Sequence, residues 1–177
     1  MTDAPAAHRF LGKFRGTVVN NVDPMLRGRL LLTVPDATGL TPSSWAEPCV
    51  PLAGPTGPPM GVYMVPPIGA GVWVEFEQGD VNYPIWVGCR WGAPSDVPPL
   101  AHLGLPVSPN IVLQTAGQNS IVISDLPGPT GGIMLKSTTG ATLIVNDTGI
   151  YIQNGKGASI VLTGPTVNVN LGALTVI

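Results

Sequence analysis

The longest stretch of this 177-residue chain without a Gly or a Pro is nine residues, Gln118 to Leu126. Interior Pro costs a helix roughly 3 kcal/mol and Gly about 1 relative to Ala. With 23 Gly and 20 Pro, a mainly helical fold is excluded, and short strands joined by tight turns remain. Disorder is excluded as well, because 44% of residues are hydrophobic and only 10% charged. A mean hydropathy of +0.33 raises the question of a membrane span, but no run approaches the roughly 18 consecutive apolar residues that a spanning helix needs.

The leading residues Met1-Thr2-Asp3-Ala4-Pro5 carry neither the basic start nor the apolar core of a secretory signal. The expectation is a chain made and kept in the cytoplasm until something else moves it. Cys49 and Cys89 leave pairing open, though two cysteines without a leader read as buried thiols rather than as a staple. A net charge of −2 gives no basic footprint for nucleic acid or for an anionic membrane surface.

Composition breaks sharply within the chain. Nine of the ten aromatic residues fall between Phe10 and Trp91, and fourteen of the eighteen charged residues precede residue 100. The break lies in Ala93-Pro94-Ser95-Asp96-Val97-Pro98-Pro99, which reads as a linker. Before it, Phe14–Asn20 and Arg29–Val34 flank a segment rich in turn formers, as a long hairpin would. Further candidate strands are Trp45–Leu52, Gly61–Val65, Gly71–Glu77 and Pro84–Trp91. Five or six short strands in about 80 residues suit a small closed barrel of the OB type, where closure removes the edges. Alternation in Val72-Trp73-Val74-Glu75-Phe76-Glu77 puts Val72, Val74 and Phe76 on the inner face.

After the linker, apolar triplets recur at Ile121-Val122-Ile123, Ile133-Met134-Leu135, Leu143-Ile144-Val145, Ile150-Tyr151-Ile152, Ile160-Val161-Leu162, Val167-Asn168-Val169 and Leu174-Thr175-Val176. Their starts are 12, 10, 7, 10, 7 and 7 residues apart. Short strands at near-regular intervals mark a β-solenoid or β-helix. One chain of this width has little interior to bury, and Val122, Met134, Ile144 and Val161 make the middle position apolar too. Several copies winding together would cover such surfaces and remove exposed edges.

Candidate sites are few. Glu75 and Glu77, at i and i+2 on a strand, would sit about 6.5–7 Å apart, near the spacing of inverting glycosidases; two acids on a wet strand face are more simply solvated. Arg27 and Arg29 flank Gly28 where OB folds touch phosphates, but the acidic balance and the lack of a further basic cluster favour salt bridges or a protein interface for them. His8, His102 and the two cysteines lack metal-ligand spacing, although one residue repeated around an oligomer axis would still be able to hold an ion. The Gly54–Gly61 segment, with Pro55, Pro58 and Pro59, reads as a rigid loop. Trp45, Trp73, Trp86 and Trp91 read as core and contact residues before a sugar platform. No catalytic, cofactor or metal residue is assigned.

The run Gly12-Lys13-Phe14-Arg15-Gly16-Thr17-Val18-Val19-Asn20-Asn21-Val22-Asp23-Pro24-Met25-Leu26-Arg27-Gly28-Arg29 resembles the opening of the OB domain in phage baseplate assembly protein V and related spike proteins of contractile injection systems. These are kin to the OB and spike parts of valine-glycine repeat secretion proteins. The similarity continues through Trp45–Pro51, Pro66–Glu77, Gly79–Trp86 and Gly88–Gly92. The expected organisation is an arm at 1–11, an OB domain at 12–92, a linker at 93–109 and a spike at 110–177. The fold class is all-β, an OB barrel followed by an intertwined, triple-stranded β-helix.

The resemblance implies a structural homotrimer, where the residues alone reach only "several chains". It implies OB domains seated on a hub protein at the tube end and a spike driven through the target envelope by sheath contraction, with the target membrane touched only then. The expected trimer core is Ile121, Ile123, Ile133, Leu135, Leu143, Val145, Ile150, Ile152, Ile160, Leu162, Val167 and Val169. The sequence has no lysozyme-like domain and no His-x-His tip motif, and Leu174-Thr175-Val176-Ile177 reads as a blunt end for a separate cone of the PAAR-repeat type, touching Leu174, Val176 and Ile177. The competing reading is an OB module for glycan or single-stranded nucleic acid on a β-helical stalk. A peptidoglycan-degrading enzyme is the third.

Overall fold

The computed structural model describes residues 9–54 and 57–176, with the backbone alone for Thr175 and Val176. The chain divides into two compact units, one ending at Gly92 and one beginning at Ala93.

The first unit holds β1 (Phe14–Asn20), β2 (Leu31–Thr33), α1 (Pro35–Thr38), β3 (Glu47–Pro48), β4 (Ala53–Gly54), β5 (Met60–Gly61), β6 (Gly71–Phe76) and β7 (Pro84–Arg90). Five of the strands form one sheet in the order β2-β1-β6-β7-β3. Leu30 and Ala46 then exchange backbone hydrogen bonds of 3.1 and 2.7 Å across the two outer strands, closing the sheet into a barrel. Neighbours run antiparallel except β3, which pairs parallel to β7. Register shifts between Val18 and Asn20 and between Trp73 and Val74 supply the bends that a tight barrel requires.

The expected alternation in β6 holds. Val72, Val74 and Phe76 are buried with Val18, Leu30, Leu32, Val34, Ala46 and Trp86 in one core. Phe10 and Phe14 pack on Phe76 with ring centroids 5.8 and 5.4 Å away. The Trp86 indole nitrogen donates to the Gly28 carbonyl at 3.1 Å, so the core's largest side chain leaves no buried donor unpaired.

Two strand expectations fail here. Trp45–Leu52 shrinks to a two-residue β3, because Pro48 and Pro51 cannot donate to a ladder. Gly61–Val65 gives no barrel strand; Met60–Gly61 pairs only with Ala53–Gly54 in a small ribbon, and Val62, Tyr63 and Met64 are exposed. Cys49 and Cys89 are free thiols as read, but both are exposed rather than buried.

The second unit begins with two 3-10 turns, Pro94–Asp96 and Pro99–Leu103. There follow β8 (Ile111–Gln114), β9 (Ser120–Ser124), β10 (Gly132–Lys136), β11 (Thr142–Asn146), β12 (Gly149–Gln153), β13 (Ser159–Thr163), β14 (Thr166–Val169) and β15 (Leu174–Val176). All eight pair with their sequence neighbours in one antiparallel meander. Every triplet read from the sequence lies in a strand, and β8 adds one more, Ile111-Val112-Leu113. Among the described residues the only α-helix is the four-residue α1, so no helix is long enough to cross a membrane.

Candidate functional site: a two-column apolar face

The antiparallel registers align the triplets across the whole ribbon. One column runs Ile111, Ile123, Ile133, Val145, Ile150, Leu162 and Val167, ending at the backbone position of Val176. The second runs Leu113, Ile121, Leu135, Leu143, Ile152, Ile160, Val169 and Leu174. Strand alternation puts both columns on the same face. That face holds all twelve residues expected at the trimer core.

In the single chain this face is not covered. Ile121, Ile123 and Ile152 are each 43% exposed and Ile133 is 49% exposed. A continuous apolar patch of this extent marks an interaction surface. Ile111 and Leu113 continue the same columns but escaped the sequence reading, although Ile111-Val112-Leu113 repeats the triplet pattern.

The opposite face carries a single column, Val112, Val122, Met134, Ile144, Tyr151, Val161 and Asn168, flanked by polar residues such as Gln114, Ser120, Lys136, Thr142 and Gln153. It is partly covered by its own chain. Val122 is only 4% exposed, and Pro99 and Leu100 enclose a cavity of about 210 Å³ with Gln114 and Lys136. Met134, Ile144, Tyr151 and Val161 stay only half-buried, and of the two faces the one bearing two columns is the more exposed.

Hydrogen bonds tie successive turns along both edges of the ribbon. On one edge, Thr138 donates its backbone N–H to Asn119 Oδ1 at 3.1 Å and its hydroxyl to the Gly117 carbonyl. Ser159 donates its N–H to Asn170 Oδ1 at 3.0 Å. On the other edge, Gly128 donates to Asp147 Oδ2 at 3.1 Å, and Asn146 Nδ2 donates to the Pro129 carbonyl at 3.1 Å. These links join alternate turns that the strand ladder alone does not connect, stiffening the ribbon along its length.

Other sequence candidates are dispersed. Glu75 is ion-paired with Lys13 at 2.5 Å, and Glu77 has left the strand for a 3-10 turn. Both arginines read as phosphate candidates are held by carboxylates, Arg27 by Glu47 at 2.9 Å and Arg29 by Asp23 at 2.7 Å. Trp86 is core, Trp73 lies under Arg15, Trp45 lies under Arg29, and Trp91 is exposed. Among the described residues no three His, Cys, Asp or Glu side chains gather as a metal site would require. His102 sits in the Pro99–Leu103 turn; His8 lies outside the described residues. Of the expected tip contacts, Leu174 is exposed at β15, Val176 is described by its backbone only, and Ile177 lies outside the described residues.

Comparison with known families accounts for both units. Residues 14–91 match the type VI secretion system/phage-baseplate injector OB domain. Residues 110–175 match the phage baseplate V C-terminal trimerisation domain, which supports self-association as a homotrimer. No curated protein matches the chain. The barrel, the ribbon with its uncovered apolar face and these two matches together make the chain a member of the phage baseplate V family, a structural spike component of a phage-like particle or secretion machine.

Proposed function

We propose that the two-column face is the inner face of the homotrimer, and that the assembled spike is seated through its OB domains on a hub protein at the tube end. The observation that carries this reading is the pair of unbroken aliphatic columns, from Ile111 to Val167 and from Leu113 to Leu174, left bare in one chain. Three such faces turned toward one axis bury each other, and the flanking turns and polar residues stay in water. Ile121, Ile123, Ile133, Leu135, Leu143, Val145, Ile150, Ile152, Ile160, Leu162, Val167 and Val169 then form the trimer core.

The function is mechanical. Sheath contraction drives the trimer through the target envelope, and axial load is shared by the ladder hydrogen bonds, the turn-to-turn bonds and the common apolar core. The trimer is built in the cytoplasm before it joins the particle. At the far end β15 is the outermost strand of the meander, and Leu174, Val176 and Ile177 there meet a tip protein of the PAAR-repeat kind.

The solution mass of the full chain tests the core reading. A trimer of about 55 kDa, three times the 18.3 kDa chain, that dissociates when the chain is cut near Pro99 is the expected result. A stable 18.3 kDa species overturns it. For the tip, a variant ending before Gly172 is expected to lose the cap protein; equal binding removes that assignment.

A further inference from the structure

The single-column face of the ribbon carries a polar cavity of about 210 Å³, several times the roughly 30 Å³ that one water occupies. Gln114 of β8, Lys136 of β10, and Gln118 and Thr138 of the adjoining turns line it, with Pro99 and Leu100 as its apolar wall. The registers place Ser120 of β9 directly between Gln114 and Lys136, on the same face. Ser120 is 6% exposed, and its hydroxyl has no hydrogen-bond partner among the described residues. We propose that this cavity binds a small tetrahedral oxyanion, phosphate or sulfate, held by the Ser120 hydroxyl and the Lys136 ammonium. The site lies on the face opposite the two apolar columns and stands apart from both the trimer core and the tip assignment.

A buried hydroxyl without a partner is costly, and each one in a native fold calls for an explanation. The lining points to an anion. Lys136 forms no ion pair among the described residues, and no carboxylate lines the cavity. The hydroxyl, the ammonium and the two glutamine amides can all donate, whereas a cation would need acceptors that an ammonium lacks. These donors stand on three neighbouring strands and a turn, so they approach a ligand from several sides. A tetrahedral oxyanion meets that spread with an oxygen toward each, which a planar carboxylate does not. The acids of the same unit are already committed within their own chain. Asp96 accepts from the Ala93 N–H at 2.9 Å, Asp125 from the Ser108 hydroxyl at 2.5 Å and Asp147 from the Gly128 N–H at 3.1 Å.

The walls are fixed by the chain itself. Asn110 Nδ2 donates to the Leu100 carbonyl at 2.8 Å, holding the Pro99–Leu103 turn beside the start of β8. The Thr138 N–H and hydroxyl donate to Asn119 Oδ1 and the Gly117 carbonyl, so the turn that bears Gln118 is tied to the turn after β10. Such preorganisation lowers the ordering cost of binding. The bound oxyanion cross-links β8, β9 and β10 through charge-assisted hydrogen bonds.

The test titrates the full-length protein with inorganic phosphate and with sulfate, by calorimetry and thermal melts, using chloride at matched ionic strength as the comparison. Saturable binding of phosphate or sulfate is expected. Lys136 is exposed, so Lys136→Gln folds; it should weaken binding about tenfold, as loss of a charge-assisted hydrogen bond does. Ser120→Ala gives a signature that a merely structural serine does not. Without anion it should melt no lower than the parent, because it removes an unpaired buried hydroxyl, yet it should also bind about tenfold more weakly. No saturable binding up to about 10 mM overturns the proposal. So does affinity unchanged in both variants, or an equal response to chloride. A Ser120→Ala protein that melts well below the parent without anion overturns it too, since the hydroxyl would then already be paired within the chain.

Discussion

Asp23 and Arg29 meet through two charge-assisted hydrogen bonds, 3.0 Å from Nε and 2.7 Å from Nη2 to the same carboxylate oxygen. The second carboxylate oxygen accepts the N–H groups of Arg27 and Arg29 at 2.8 and 3.2 Å. One buried acid thus organises the whole β1–β2 turn, including Leu26 at φ 56°, a conformation that L residues with side chains avoid. The Arg29 side chain holds the Asp23 carboxyl well below the usual carboxylate range, against the opposing effect of burial and with help from the backbone donors. The same hydrogen bond raises Arg29 further above its ordinary value.

Asp23→Asn should therefore lower the barrel's melting temperature by several degrees at pH 7, and the effect should depend on pH in one direction. A carboxyl whose pKa is depressed on folding contributes its stability above the unfolded value of about 3.9 and loses it as pH falls toward the lower folded value. The gap between the parent and Asp23→Asn, measured by thermal melts from pH 7 downward, should stay constant to about pH 5 and then narrow. A gap that widens on acidification would contradict the arrangement.

Much of this was legible in the chain, and the exceptions share a cause. Strand β1 falls on Phe14–Asn20 as read because β-rich residues lie between Gly12 and the turn formers after Asn20. The inner face of β6 follows from its alternation alone. Arg27 and Arg29 read as salt-bridge or interface residues, and they are ion-paired; their partners, by contrast, were not legible, because the Asp23 contact exists only once six residues of loop have folded back. Gly61–Val65 has a strand's composition, but no barrel partner reaches it. Twelve members of the two apolar columns were legible from the triplets, but their alignment into columns was hidden. Triplet starts spaced by 12, 10 and 7 residues show no single period until turns of different length are removed and the antiparallel register aligns what remains.

The two thiols offer a direct check on the barrel surface. Both Cys49 and Cys89 are free and exposed, so the native protein should take two equivalents of alkylating reagent without prior reduction. Desolvation raises the Cys89 pKa, so its alkylation should begin at higher pH than that of an unperturbed thiol, since the thiolate is the nucleophile. Mass spectrometry of labelled peptides across a pH series measures this. A single unlabelled, disulfide-linked species would refute it.

Gly132 opens β10 with φ +84°, and a Cβ there would lie 2.1 Å from the Val145 carbonyl oxygen of the neighbouring strand. That obstacle is backbone already committed to the ladder and cannot swing away as a side chain would. Gly132→Ala should destabilise the ribbon by roughly 2–4 kcal/mol, combining the left-handed conformation with the displacement of β11. Denaturant melts of the trimer report it. A neutral substitution would mean that the β10–β11 pairing is looser than the register implies.

The most discriminating prediction compares the two faces of a single strand. In β10, Ile133 lies on the two-column face and Lys136 on the other. Ile133 is 49% exposed in one chain, so if three copies bury the two-column face each isoleucine contributes about half of a full burial, about 1 kcal/mol, or roughly 2–5 kcal/mol over the trimer. Ile133→Asp removes that term and also sets three carboxylates together in an apolar interior, where like charges without partners are strongly unfavourable. Lys136→Asp changes charge by two units but keeps the side chain among Ser120 and Thr142 on the polar flank. Light scattering should therefore find Ile133→Asp monomeric and Lys136→Asp still trimeric. The reverse result would turn the ribbon inside out, with the single column of Val122, Met134 and Ile144 facing the axis.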